Sequence, residues 1–347
     1  MANARARHPA SFCDTARPNN DHPRLRPLGR FCFNEHTVAL GIGQSDAAAT
    51  LKGISVSAAA SEEPEFILYD SPEKSVARIT LNRPKTANAQ SVQFLYELND
   101  AFDRAAHDDD IKVIILAANG KHFSSGHDLR EADPDVQIKN FDTVGTICGF
   151  GCAGAEAQMS REEEQYLGFS ERWRNIPKPT IAVVQGQAIA GALMLIWPCD
   201  LIIASDDAVF VDPTVSFGVG GVEFFHHAFE LPQRKAKEML FTGDAISADE
   251  ALSLGMINKI VSRDQLEHAS LEMARKITNK SRFALKLTKK AINGAYDAQG
   301  REVSMNNAFH LHQLAHTHWL AQYGFVLDPM GLPEATRKAL GIKEEPA

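Results

Sequence analysis

Two apolar runs, IKVIILAA from position 111 and TIAVV from position 180, each lead into glycine and small residues and then into an apolar helix start. Neither alternates polar with apolar positions, so each reads as a strand covered on both faces, the pattern of a parallel sheet packed between other layers. The first exits into KHFSSGHDLR (121–130) and the second, about 60 residues later, into VQGQAIAGALML (184–195). Such a strand-to-helix junction leaves backbone N–H groups unpaired, because the first turn of a helix offers no acceptor to its own donors. Two junctions converging on one point would make an oxyanion hole.

The flanking pattern extends this reading. Residues 66–69 and 76–81 read as strands joined by the turn-forming DSP at 70–72, and Leu95, Leu98, Phe102 and Ala105 repeat at three and four along a helix ended by an acidic triplet, 108–110. Strand, helix and buried strand predict a right-handed parallel crossover. Regularity is lost from 133 to 160, where glycines stand at 145, 149, 151 and 154, and a loop of that length predicts a lid or pocket wall. In the helix expected at 161–175, Glu162, Glu163, Glu164, Glu171, Arg172 and Arg174 read as a solvated face. Strands are expected at 199–204, 208–211 and 257–261, with a helix running from Pro232 to Gly243 and a capping box from Ser247 to Glu250. Beyond 264 the pattern is helical, at 264–277, 282–296 and 301–322. The fold class is α/β, a core over 63–262 followed by a helical region over 263–347.

Residues 1–62 differ in character, with arginines at 5, 7, 17, 24, 26 and 30 and prolines at 9, 18, 23 and 27. That composition buries little and is read as a disordered extension. It is either dispensable or an organelle transit peptide, whose Arg-rich, acid-poor character it shares without a clear amphipathic helix. The whole chain carries a net charge of −8, which argues against a nucleic-acid surface, and no apolar run reaches the ~18 residues of a membrane span. Five cysteines without CxxC spacing indicate neither a disulfide framework nor a zinc cage, and fit a reducing compartment, expected to be the cytoplasm unless 1–60 directs import.

ITLNRPKTANAQS, FSSGHDL, VQGQAIAGALMLIWPCDLIIASDDAVF and MLFTGDAISADEALSLGMINKIV together resemble the signature segments of the crotonase superfamily, the enoyl-CoA hydratase/isomerase family, over residues 65–300. The resemblance implies a spiral of ββα units, C-terminal helices that assemble a homotrimer or hexamer, and an acyl-CoA thioester substrate. Coenzyme A enters as that substrate, and no separate cofactor is implied. The family's oxyanion donors fall on the backbone N–H groups of His127 and Gly191. The positions that meet coenzyme A match or lie close to Arg83, Ala87, Ala89, Asp128, Arg130 and Lys289.

The two glutamates that activate water in hydratases of this family fall on Met194 and Thr214, neither of which shuttles a proton as a carboxylate does. Glu223, in GGVEFF, is the nearest replacement, and Asp212 is second. The glycines and phenylalanines around Glu223 are expected to raise its pKa toward a useful acid/base value; the other reading is a carboxylate at a helix N-terminus. The His127 imidazole either joins the acid/base chemistry or leaves the work to its N–H. Adjacent Ser124, Ser125, His127 and Asp128 form no nucleophile, base and orienter set, and no GxSxG elbow is present.

His310, His312, His316 and His318 crowd the last helix. His312 and His316 share a face at i, i+4, yet the sequence offers no evident third ligand, so no metal is expected and the face is read as packing or subunit interface. The expected function is an acyl-CoA transformation, whether hydration, isomerisation, hydrolysis or decarboxylation. The alternative is a catalytically silent acyl-CoA-binding homologue.

Overall fold

The apolar runs pair as one six-stranded sheet in the order β1-β2-β3-β4-β6-β9. Strands β1 (Ile67–Glu73) and β2 (Val76–Leu81) form the antiparallel edge, and from β2 onward every pairing is parallel. The structure, a computed structural model, describes residues 66–131, 134–332 and a few positions up to 341, all within one contact unit over 61–347. The readings of 1–62 as an extension or transit peptide lie outside the described residues.

Helix α1 (Val92–His107) makes the expected crossover between β2 and β3 (Val113–Ala118). Ser91 starts it by accepting the Phe94 N–H at 3.2 Å, and the carboxylate of Glu131 accepts the Val92 N–H at 3.0 Å. Both satisfy donors of the first turn. As full burial requires, β3 divides its side chains between two cores. Ile114 and Leu116 pack with Phe94, Leu95, Leu98 and Phe102 of α1. Val113 and Ile115 pack with Ile181, Val183 and Ile203 against Leu266, Ala269 and Ala274. Each fully buried side chain of this size contributes about 1.5–3 kcal/mol.

The irregular stretch after the first junction holds two short helical pieces, α2 (Pro134–Gln137) and α3 (Ala155–Glu162). A π-helical turn (Glu163–Gly168) joins α3 to α4 (Phe169–Arg174), so the helix starts earlier than the sequence pattern predicts. Its charged residues are not all on a solvated face: Arg172 is exposed and Glu163 and Glu171 are half-buried, but Glu162, Glu164 and Arg174 are buried. The π turn inserts an extra residue into the helical repeat just after Glu162 and includes Glu164. Glu164 there accepts the Val144 and Gly145 N–H groups at 2.6 and 2.9 Å, anchoring the loop.

Strand β4 (Thr180–Val184) leads through β5 (Gln187–Ile189) and a 3-10 turn (Ala190–Ala192) into α5 (Leu193–Ile196). Next come β6 (Leu201–Ser205), β7 (Val209–Val211), α6 (His227–Glu230) and α7 (Gln233–Thr242), the last closed by left-handed Gly243. Strand β8 (Ile246–Ser247) completes a small sheet, β5-β7-β8, and Ser247 caps α8 (Ala248–Leu254) through the Glu250 N–H at 3.2 Å. After β9 (Lys259–Val261) come α9 (Leu266–Thr278), α10 (Arg282–Asp297) and α11 (Arg301–Tyr323). No helix among the described residues is long and apolar enough to cross a membrane.

Candidate active site

Asn88 organises the loop between β2 and α1. It and Ala87 hold left-handed φ values of 52° and 51°, and its side-chain amide donates to the carbonyls of Asn119, His122 and Phe123 at 3.0, 3.2 and 2.9 Å. That fixes the loop to the first junction. The first junction is tied to the second where the Ile189 N–H donates to the Ser124 carbonyl at 3.1 Å. Gly126, at φ 82°, lets them touch: a Cβ there would stand 2.8 Å from the Ile189 oxygen and 3.0 Å from the Gly191 nitrogen. Ala190 pays for the turn with φ 47°, a conformation that costs a non-glycine residue about 1–3 kcal/mol.

The two junctions therefore converge. The Gln90 N–H donates to Gly126 and the Asp128 N–H donates to Gln90, at 2.9 and 3.0 Å, so the backbone pairing is made on either side of His127 and its own N–H faces away from Gln90. The Gly191 N–H lies in the first turn of its short helix, where the helix supplies no acceptor. The His127 imidazole lies beside Gly191: a Cβ on Gly191 would come 2.8 Å from its Cε1, 2.9 Å from its Nδ1 and 3.0 Å from Gln90 Oε1. Glycine is needed here for space. The other face of the imidazole stacks on Tyr166 with centroids 4.0 Å apart, and its Nε2 stands 3.2 Å from Glu223 Oε2.

Gln90, His127, Tyr166, Ala190 and Glu223 line a cavity of about 400 Å³ whose apolar wall includes Leu129, Phe217, Val219, Phe325 and Leu327, with Gly191 next to Ala190 in the chain. Of its described polar atoms, His127 Nδ1 and Gln90 Oε1 are buried without a partner.

Glu223 is brought to the cavity, but its expected electrostatics are reversed. Burial alone pushes its carboxyl up; the charges and hydrogen bonds of His127 and His312 outweigh burial and hold it well below the usual carboxylate range. It is a resident anion rather than a poised acid, and it lies in a loop four residues before the single turn of α6, not at a helix N-terminus. Asp212 is not on the cavity wall. It is fully buried behind it, where its carboxylate accepts the Thr214 N–H at 3.0 Å, the Thr214 hydroxyl at 2.6 Å and the Val222 N–H at 3.2 Å, and meets His227 Nε2 at 2.8 Å. Thr214 lines the cavity, whereas Met194 is buried in the main core.

Of the positions matched to coenzyme A, Asp128 lines the cavity, Ala89 is buried beside it, Ala87 is half-buried and Arg130 is exposed. Arg83 is engaged within the chain: its guanidinium donates to Asp128 Oδ2 at 3.1 Å and to the Ala89 carbonyl, and lies 4.6 Å above the Phe66 ring. Lys289 is not brought to the cavity. Its ammonium is buried against Asp200 at 2.8 Å and the Lys178 carbonyl at 3.1 Å, because the long side chain folds under α10 to reach them.

Sequence reasoning missed Gln90, Tyr166 and Glu162 on the cavity wall. It also found no further ligand for His312 and His316. The structure sets Glu162 and Glu223 beside them, with one ligand atom from each of the four within 4.8 Å of the others. The i, i+4 histidine spacing was the available signal; the carboxylates come from distant segments.

Residues 71–323 match the family model described as enoyl-CoA hydratase/isomerase. The chain is 42% identical over 267 residues to a putative enoyl-CoA hydratase of Mycobacterium tuberculosis, covering 74% of this chain and 82% of that protein. It is 34% identical over 232 residues to the mitochondrial enoyl-CoA hydratase domain-containing protein 3 of Mus musculus, covering 67% and 71%. Among solved structures, a probable enoyl-CoA hydratase from Mycobacterium smegmatis superposes with a TM-score of 0.68 at 45% identity, over 76% of this chain and 98% of that one. With the parallel sheet, the convergent junctions and the helical C-terminal region already in view, the chain belongs to the enoyl-CoA hydratase/isomerase family of the crotonase superfamily and has its fold.

Proposed function

We propose that the chain transforms an acyl-CoA thioester, with the N–H groups of His127 and Gly191 receiving the negative charge that develops on the thioester oxygen. The observation that carries this reading is the convergence of the two glycine junctions, joined by the Ile189 N–H on the Ser124 carbonyl and so close that a Cβ on Gly126 would stand 3.0 Å from the Gly191 nitrogen. Donors placed where charge develops stabilise the transition state more than the substrate, and losing one costs roughly 10²–10³ in kcat.

In this reading the proton is moved by His127, and Glu223 is a positioning residue. An ionised carboxylate only accepts, so at 3.2 Å it keeps a hydrogen on Nε2 and leaves Nδ1 to take up and release the proton. A base oriented by a buried carboxylate needs no second glutamate. Thr214 donates its hydroxyl to Asp212 and Met194 lies in the core, which favours a reaction other than two-carboxylate hydration, such as a double-bond shift. Coenzyme A is the carrier of the substrate.

Exposed Phe283, Leu287 and Ile292 on α10 and Val303, Leu311 and Leu314 on α11 support assembly into a homotrimer or hexamer through the C-terminal helices.

Turnover of an acyl-CoA panel, with mass spectrometry of any copurified thioester, tests the function. Wild-type turnover that His127→Ala abolishes and Asp212→Asn spares supports it. Tight acyl-CoA binding without turnover makes the chain a silent binder, and neither binding nor turnover refutes the reading altogether.

A further inference from the structure

We propose that Glu162, Glu223, His312 and His316 form a binding site for one divalent transition-metal ion on the wall of the acyl cavity. Its central observation is a pair of opposed ring nitrogens. His312 Nδ1 lies 2.8 Å from the Gly221 carbonyl and His316 Nδ1 lies 2.6 Å from the Val326 carbonyl. A carbonyl only accepts, so each Nδ1 carries a hydrogen and Nε2 is the atom that each ring can offer as a ligand. Those two Nε2 atoms face one another at 2.8 Å, and both residues are buried. At that distance positive charge must lie between the two nitrogens, either a proton on one Nε2 or a metal ion that displaces it.

Carboxylates flank the pair, Glu223 Oε1 at 3.4 Å from His312 Nε2 and Glu162 Oε2 at 3.5 Å from His316 Nε2. The four ligand atoms lie within 4.8 Å of one another. In an octahedral arrangement, metal–ligand bonds of about 2.1 Å put neighbouring ligand atoms about 3 Å apart and opposite ones about 4.2 Å apart, so the set closes on an ion when its widest separation contracts by about half an ångström. Two carboxylates offset a divalent charge in buried surroundings, and Glu162 shares its own charge with the Arg161 guanidinium 3.4 Å from its Oε1.

The supporting contacts are those of a built site. Each imidazole is fixed by its Nδ1–H on a backbone carbonyl, the usual outer contact of a ligating histidine. Glu162 accepts from Gln313 at 2.6 Å and from Gln158 at 3.2 Å. Half the donors are imidazole and none is thiolate, which selects ions of the Zn2+, Fe2+, Co2+ class over the oxygen-seeking Mg2+ and Ca2+. All four residues line the cavity, so the open coordination positions face it and can take water or an oxygen of the acyl group.

The full-length protein, stripped with a chelator, is titrated with Co2+ and Zn2+ and followed by metal analysis, visible absorption and thermal melting. One ion per chain, a Co2+ absorption band and a rise in Tm that saturates at one equivalent are expected. Gln313→Ala should weaken binding about 10- to 100-fold, and His316→Ala should weaken it more. Absence of saturable uptake by the wild type, as when a proton alone separates the imidazoles, overturns the proposal even if the variants misfold. Undiminished Co2+ binding by a folded His316→Ala also overturns it. These readouts need no acyl-CoA, so a failure of the thioester reading leaves the metal result standing.

Discussion

The carboxylate of Glu223 reaches the Nε2 atoms of two imidazoles from one buried position, His127 at 3.2 Å through Oε2 and His312 at 3.4 Å through Oε1. One loop residue thus joins the ring beside the glycine junctions to the C-terminal helix. Replacing it with an isosteric amide tests the first half of that link. Glu223→Gln loses the anion that selects the His127 tautomer, and kcat should fall by at least about 10²-fold with KM nearly unchanged. A kcat within a factor of two of wild type would show that His127 needs no orienting carboxylate.

At Gly191 the requirement is for space. A methyl group there would enter the gap among His127 Cε1, His127 Nδ1 and Gln90 Oε1, all within 3.0 Å of it. Gly191→Ala should lower kcat by about 10²–10³-fold, in a protein whose circular dichroism and Tm stay close to wild type. Retained turnover would move the oxyanion away from this junction.

The Asp212–His227 pair should mark the acid limb of stability. Burial pushes the Asp212 carboxyl up, but His227 and Thr214 outweigh it and hold it below its usual value. A depressed folded-state pKa stabilises above the unfolded value of about 3.9, and the benefit drains away as pH falls through the folded pKa. The wild-type Tm should therefore drop more steeply below about pH 5 than that of Asp212→Asn. Parallel slopes would sink this assignment.

Lys289 separates two roles. Its burial against Asp200 predicts that Lys289→Ala destabilises the fold by about 3 kcal/mol, the cost of leaving a partly buried partner unpaired, while KM for acyl-CoA is unchanged. Denaturant unfolding and steady-state kinetics on the same variant distinguish this from a phosphate contact. A raised KM at unaltered stability would restore the ligand role.

The strands, crossover, capping box and glycine junctions were legible because each is written in a few neighbouring residues: the unbroken apolar run of β3, Ser247 three residues before Glu250, and glycine where two backbones meet. Glu162 and Glu164 were not legible, since a run of charged residues has the look of a solvated face unless its distant partners, such as Gln313 and His316 for Glu162, are known. Glu223 was found as a candidate from its surroundings, yet its charge state depends on His312, 89 positions away in sequence. Lys289 misled for a related reason, because a lysine on a helix gives no local sign of whether its ammonium faces water or folds inward.

The cavity draws its wall from Gln90 at one extreme and Leu327 at the other, with α11 and the segment after it closing one side. Its architecture therefore imposes an order on biosynthesis. A ribosome that has delivered both glycine junctions has made the His127 side of the cavity but not its enclosure, and a nascent chain stopped before α11 lacks His312, His316 and the apolar residues after them. The cavity is completed only near the end of translation, and a frameshift just ahead of α11 would remove its far wall as fully as one near the beginning of the message.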